Sequence, residues 1–228
     1  MMAELGTRMR NRLRDDRGMT LVELLVAMFV LSIVMLIFTS TLSSVQMAVV
    51  RQDNLSRTND QARLALQEMD REIRSGQVLF DPALEKPVAS GGVGSCSGCQ
   101  AGFTHRVYTE SNANGTASGG VGHATCVLWK VGTTSPYALQ SASWTDGVLT
   151  PTPTWRTVAT GVVNSAVSPP VTPFTLESGS RTLDVQFAAN EDLTNRSTQT
   201  TYVQASFTGR NTSAGTPVTV CATVPTGL

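Results

Sequence analysis

The chain predicts an α+β fold, with one long N-terminal helix packed on an antiparallel β-sheet. Three observations carry this. Neither glycine nor proline occurs between Gly18 and Gly76. The later part of that stretch sets apolar residues at helical spacing. Beyond Gly76, short segments alternate apolar and polar residues with a period of two, between turns rich in glycine, proline and serine. The 228 residues hold such a helix and one domain of about 150 residues.

The first helical element is apolar all round. From Met19 to Phe38 the only ionisable side chain is Glu23. Twenty helical residues cover about 30 Å, the thickness of a hydrocarbon core. A carboxylate in such a segment costs a few kcal/mol and marks a functional position. Before it stand Arg8, Arg10, Arg12, Arg14 and Arg17 against Glu4, Asp15 and Asp16. This arginine excess predicts a cytoplasmic N-terminus and an outside location after Phe38, a single pass through the cytoplasmic membrane. A secretory signal peptide fits poorly, because the apolar run is too long and Thr39–Ser44 offers no small-residue cleavage site.

The next element, residues 39–76, is amphipathic. Val45, Ala48, Leu55, Ala62, Leu66, Met69 and Ile73 follow an alternating three-four spacing, interrupted only by Gln52 and Asn59. They form one stripe that faces a partner surface. Asp53–Arg57 and Asp70–Arg74 sit four apart, acid first, the favourable order on a helix. The hydroxyl-rich stretch from Thr39 to Ser44 predicts the weakest part of the helix, and Gly76 its stop.

The residues around the start of the apolar run, Arg17-Gly18-Met19-Thr20-Leu21-Val22-Glu23, resemble the signal of type IV prepilins and pseudopilins. In that family a membrane peptidase cuts after the glycine and methylates the new N-terminus. The resemblance implies cleavage between Gly18 and Met19, N-methylation of Met19, and an assembly role for Glu23. The first mature residue of the family is usually Phe, and Met19 is a tolerated departure. Gln61-Ala-Arg-Leu-Ala-Leu-Gln-Glu-Met-Asp-Arg-Glu-Ile-Arg74 is similar to the helix end of W-type minor pilins and J-type minor pseudopilins. The implied organisation is a leader over 1–18, a transmembrane half-helix over 19–38, an exported half-helix over 39–76, a β-rich pilin domain over 77–210 and a tail over 211–228. The implied partners are prepilin peptidase, other pilin or pseudopilin subunits, an inner-membrane assembly platform, and membrane lipid before assembly.

Strands are expected at 103–108, 125–131, 137–140, 155–158, 174–176, 182–188 and 201–208. In the last two, Leu183, Val185 and Phe187 alternate with Thr182, Asp184 and Gln186, and Val203, Ala205 and Phe207 with Tyr202, Gln204 and Ser206. Such strands bury one face and wet the other. The helix stripe from Val45 to Ile73 is the expected core partner. Ser168–Pro173 reads as an extended connector. Residues after Asn211 are expected to be loosely ordered unless Cys221 ties them down.

Cys96, Cys99, Cys126 and Cys221 all follow the span, and exported cysteines in a small domain are disulfide candidates. Four cysteines allow three complete pairings. Cys96-Ser-Gly-Cys99 has redox-dithiol spacing but lies in a glycine-rich loop rather than at a helix start. Cys96, Cys99, His123 and Cys126, with His105 in reserve, have zinc-ribbon spacing; the oxidising compartment and the cysteine left over favour disulfides, so no metal or cofactor is expected. The Ser-Gly-Gly-Val-Gly copies at 90–94 and 118–122 precede no helix and predict surface loops, not phosphate cradles.

Basic and acidic side chains balance at 17 each, and losing residues 1–18 leaves 12 basic and 14 acidic. No clustered basic face predicts nucleic-acid binding. No nucleophile elbow or metalloprotease motif is present, so no enzyme is expected. Trp129, Trp144 and Trp155 are expected in the core or at its rim. The functional expectation is a minor subunit of a type IV pilus or secretion-type pseudopilus, with a membrane-anchored surface binding module as the competing class.

Overall fold

The computed structural model describes residues 20–76, 78–87, 95–96, 98–110, 124–145, 153–177, 181–190, 200–209, 213–215, 221, 224–225 and 228. They fall into two compact units, Met1–Val50 and Arg51–Leu228, and the helix α1, Leu21–Ser75, contributes to both.

In the first unit, residues 21–50 are helical throughout and exposed throughout. The stretch is long and apolar enough to cross a membrane. Its hydroxyls turn back onto the helix. Ser32 donates to the Met28 carbonyl at 2.8 Å, Thr39 to Met35 at 2.7 Å, Thr41 to Ile37 at 2.9 Å and Ser43 to Thr39 at 3.0 Å. Each polar hydrogen is thereby satisfied without water, as an apolar surrounding demands. The 39–44 stretch expected to be weakest is helical all the same.

In the second unit the helix residues Thr58, Ala62, Ala65, Leu66, Met69 and Ile73 are buried. The expected stripe therefore holds from Leu55, which is half-buried, to Ile73. Val45 and Ala48, expected to face the sheet, are exposed. They belong to the unit that has no sheet of its own. The helix ends where Gly76 meets the sheet: a Cβ there would lie 2.7 Å from Val107 Cγ1. Close approach, not a left-handed turn, is what requires glycine at this stop.

Six strands form the larger sheet in the order β11-β1-β4-β5-β6-β7. These are β1 (Val78–Phe80), β4 (Thr104–Glu110), β5 (Ala124–Val131), β6 (Ala138–Thr145), β7 (Arg156–Thr160) and β11 (Ser213–Gly215). All neighbours are antiparallel except β1 and β11, where Val78 pairs with Ser213 in a parallel register. A second sheet, β10-β9-β8, joins Phe174–Leu176 (β8), Thr182–Ala189 (β9) and Thr201–Thr208 (β10). Lys86–Pro87 (β2) and Ser95–Cys96 (β3) make a short parallel pair.

Two cores follow from the period-two geometry of the central strands. Val127, Trp129 and Val131 of β5 join Leu66, Met69 and Ile73 of α1 and Leu183, Val185 and Phe187 of β9. The intervening residues, Cys126 and Leu128, join Val78, Phe80, Trp144, Cys221, Val224 and Leu228 in a second cluster. The sheet is thus covered on both faces. Trp129 and Trp144 are buried, and half-buried Trp155 packs against the second cluster. The expected connector Ser168–Pro173 carries no strand.

Candidate functional site

Two places concentrate the residues singled out by the sequence. The first is the start of α1. Gly18 and Met19 lie outside the described residues. Thr20 immediately precedes the helix, and its hydroxyl oxygen accepts the Glu23 backbone N–H at 3.3 Å, while its carbonyl accepts the Leu24 N–H at 3.1 Å. Thr20 is therefore the N-cap and Glu23 the third helical residue. Thr-x-x-Glu is the spacing of a capping box, a signal the sequence carried and the membrane-span reading passed over. A carboxylate there also faces the positive end of the helix dipole. Glu23 is exposed, one turn from the processed terminus that cleavage after Gly18 would create, in a unit whose other described residues are apolar or hydroxylic up to Gln46.

The second place is the face of the six-stranded sheet away from α1. Cys96 is bonded to Cys99, with Cα atoms 5.1 Å apart, and Cys126 to Cys221, with Cα atoms 5.8 Å apart. These bonds take up the thiolates that a zinc ribbon needs. His123 lies outside the described residues, and among the described residues no three metal-ligating side chains converge. The second disulfide brings Cys221 onto β5 and, with it, the buried Val224 and Leu228. The chain after Asn211, expected to be loose without such a tie, is held at its described positions.

A buried ion pair completes this seal. The Arg106 Nη2 donates to Glu85 Oε2 at 2.8 Å, and both side chains are buried. Arg106 Nη1 donates to the Cys221 carbonyl, and the guanidinium lies 5.4 Å from the Phe80 ring centroid. Burial raises the Glu85 pKa above its ordinary value, opposed by the charge and hydrogen bond of Arg106. Removing either partner from such a pair costs about 3–5 kcal/mol, because the other charge stays buried. Nothing local in the sequence marks this pair. In Thr104-His-Arg-Val-Tyr108, Arg106 reads as the wet face of a strand, and only the second core makes that face dry.

His105 points the other way, toward the helix side, 5.9 Å from the Phe174 ring. It is fully buried, and burial lowers its pKa from 6.5 to about 3, opposed by a backbone contact at Phe80 and reinforced by Arg106. A sealed neutral imidazole has no access to a substrate. Lys130, its pKa lowered by burial, places Nζ 3.9 Å from the Trp155 ring centroid, a cation–π contact that offsets part of the desolvation.

Residues 13–39 match the family model of the prokaryotic N-terminal methylation motif. The match spans Gly18, Met19, Glu23 and the apolar half of α1, and it is the type IV prepilin-type signal that these residues resemble. No curated protein and no solved structure matches the chain.

Proposed function

We infer from the prepilin-type signal at residues 13–39 that this chain is a structural subunit of a type IV pilus or type II secretion-like pseudopilus. The carrying observation is that the signal runs in sequence straight into the apolar, membrane-length first part of α1, where the one carboxylate up to Phe38, Glu23, sits in the first helical turn. On this reading prepilin peptidase cuts between Gly18 and Met19 and methylates the Met19 amine. The subunit waits in the cytoplasmic membrane, N-terminus inside and residues 77–228 outside. The assembly platform then extracts it into a fibre beside other pilin or pseudopilin subunits. Its role is that of a minor subunit acting in initiation or at the tip, without a reaction of its own. The Gln61–Arg74 pattern supports that finer placement.

Glu23 supplies the register. In the lone subunit its carboxylate lies at the membrane edge, where water reaches it. Packed among helices, it becomes costly unless paired, and the positively charged terminus of a neighbouring subunit is the available partner. Only one axial offset makes that pair. Glu23→Ala is therefore expected to leave membrane insertion and the exported fold intact while removing the chain from sheared surface fibres. Crosslinks between probes near Met19 and Glu23 of adjacent subunits should vanish with it. Wild-type incorporation of Glu23→Ala with unchanged crosslinks would show the register role of Glu23 to be wrong. A wild-type chain that never leaves the membrane fraction would favour an anchored binding module instead.

A further inference from the structure

The outer strands of the two larger sheets are closed at three of their four edges. On β7 the outward N–H of Thr160 donates to Gln61 Oε1 at 3.0 Å. On β8 the Phe174 N–H donates to the Gly102 carbonyl at 3.0 Å, and β11 is only three residues long. The fourth edge, β10, differs. It runs in unbroken register with β9 over eight residues, Thr201–Thr208, and no described strand lies on its other side. It contains no proline, no charged residue and no bulge, the devices that blunt an exposed edge.

The ladder shows which groups stay open. Thr208 lies opposite Thr182, and one step on the Gly209 N–H donates to the Arg181 carbonyl at 3.0 Å. Bonded and unbonded pairs alternate along an antiparallel ladder. Thr201, Val203, Ala205 and Phe207 therefore exchange bonds with β9, while the N–H and C=O of Tyr202, Gln204, Ser206 and Thr208 point outward. These groups form a row about 20 Å long, without a backbone partner among the described residues. The side chains agree. Tyr202 is 52% exposed, and Val203 and Ala205 reach the first core only half-buried, so the apolar inner face stops short at this edge.

We propose that β10 is the acceptor edge for a strand of a different subunit, which adds to β10-β9-β8 by backbone pairing and joins neighbouring exported domains. The proposal rests on the fibre-subunit reading above. An extended backbone is what answers such a row of donors and acceptors, and the fold argues against a second copy supplying it. The other edges of this chain are tied or too short. Two β10 edges meeting antiparallel are related by a twofold axis normal to the sheet. That rotation reverses residues 51–75 of α1, which pack over β9, so the two chains would enter their exported units from opposite sides. Two β10 edges meeting parallel put the two cores on opposite faces of the joined sheet. The partner strand is therefore foreign, about seven residues long to match the row, with apolar side chains continuing the face of Val203 and Ala205 and uncharged polar ones beside Tyr202 and Gln204.

The test uses the full chain in cells. A photoreactive amino acid at position 202 should crosslink to a strand segment of a different subunit in sheared fibres. Gln204→Pro removes one outward N–H and sets a ring on the open edge, while the bonds to β9 remain. It should lower the crosslink yield about tenfold. Ala205→Lys, an inward charge at the edge, should give the same loss and serves if the proline variant misfolds. An intact Cys126–Cys221 bond and unchanged tryptophan fluorescence identify a folded variant. A crosslink confined to this chain or to a second copy of it, or a yield indifferent to both substitutions, overturns the inference while the wild type still enters fibres. Absence of the wild-type chain from fibres is a separate result and removes the parent reading.

Discussion

Acidification should weaken the exported unit through His105. The folded state keeps this fully buried imidazole neutral down to about pH 3, against an ordinary value of 6.5. The unfolded state takes up the proton first. The contribution of the neutral form is thus fully present above pH 6.5 and is lost as pH falls toward 3. At pH 5 the loss is about 2 kcal/mol, from about 1.36 kcal/mol per unit over roughly 1.5 units. With a urea slope of about 2 kcal/mol per molar, the midpoint should fall by about 1 M between pH 7.5 and pH 5. Glu85 works in the opposite sense: its raised pKa makes the folded state the better proton binder, so its contribution is lost as pH rises above the ordinary carboxylate value. The informative quantity is therefore the difference between wild type and His105→Leu, in which Glu85 cancels. The assay is urea unfolding of the detergent-solubilised mature chain, disulfides intact, followed by tryptophan fluorescence. Identical pH dependences of wild type and His105→Leu would refute the reasoning.

Other outcomes follow from the same geometry. Replacing Cys126 and Cys221 by Ser opens a 95-residue separation and should destabilise by about 4.7 kcal/mol on chain entropy, against about 2 kcal/mol for the three-residue separation of Cys96 and Cys99; non-reducing peptide mapping checks the pairing and denaturation the ranking. Gly18→Leu should block processing, with intact mass showing residues 1–18 retained in the variant and lost in wild type. Gly102 has φ +73° and a Cβ there would lie 2.5 Å from Thr172 Cγ2; Gly102→Ala should cost about 2 kcal/mol or more, read as a lowered thermal midpoint.

The sequence was most legible where one physical effect acted alone. In β9 and β10 one face is wet, so alternation named the buried residues Leu183, Val185, Phe187 and Phe207 correctly. Membrane length and the Gly18–Glu23 signal were local and needed no tertiary context. The missed strands are those that context creates. Ser213-Ala-Gly215 has nothing of a strand in its composition and pairs because β1 offers an edge. Val78–Phe80 is too short to show alternation and is buried at all three positions. The stripe on α1 was over-extended to Val45, since helical spacing alone does not say where a sheet begins. Arg106 and Glu85 were overlooked because burial of a charge is decided by a partner 21 positions away, and no short window contains both.

The pairing of β1 with β11 has a kinetic consequence. The ribosome delivers Val78 long before Ser213, yet these residues stand side by side at the edge of the larger sheet. Until the late segment arrives, the nascent chain holds an open strand and, with Cys221 still to come, an uncovered apolar face at Leu128 and Trp144. Contacts this distant in sequence slow folding and prolong exposure of sticky surface. The disulfide that joins Cys126 to Cys221 closes only after this late segment has arrived. A chain truncated before Cys221 lacks both the covalent tie and the carbonyl that Arg106 binds, and quality control would meet it as an aggregation-prone intermediate.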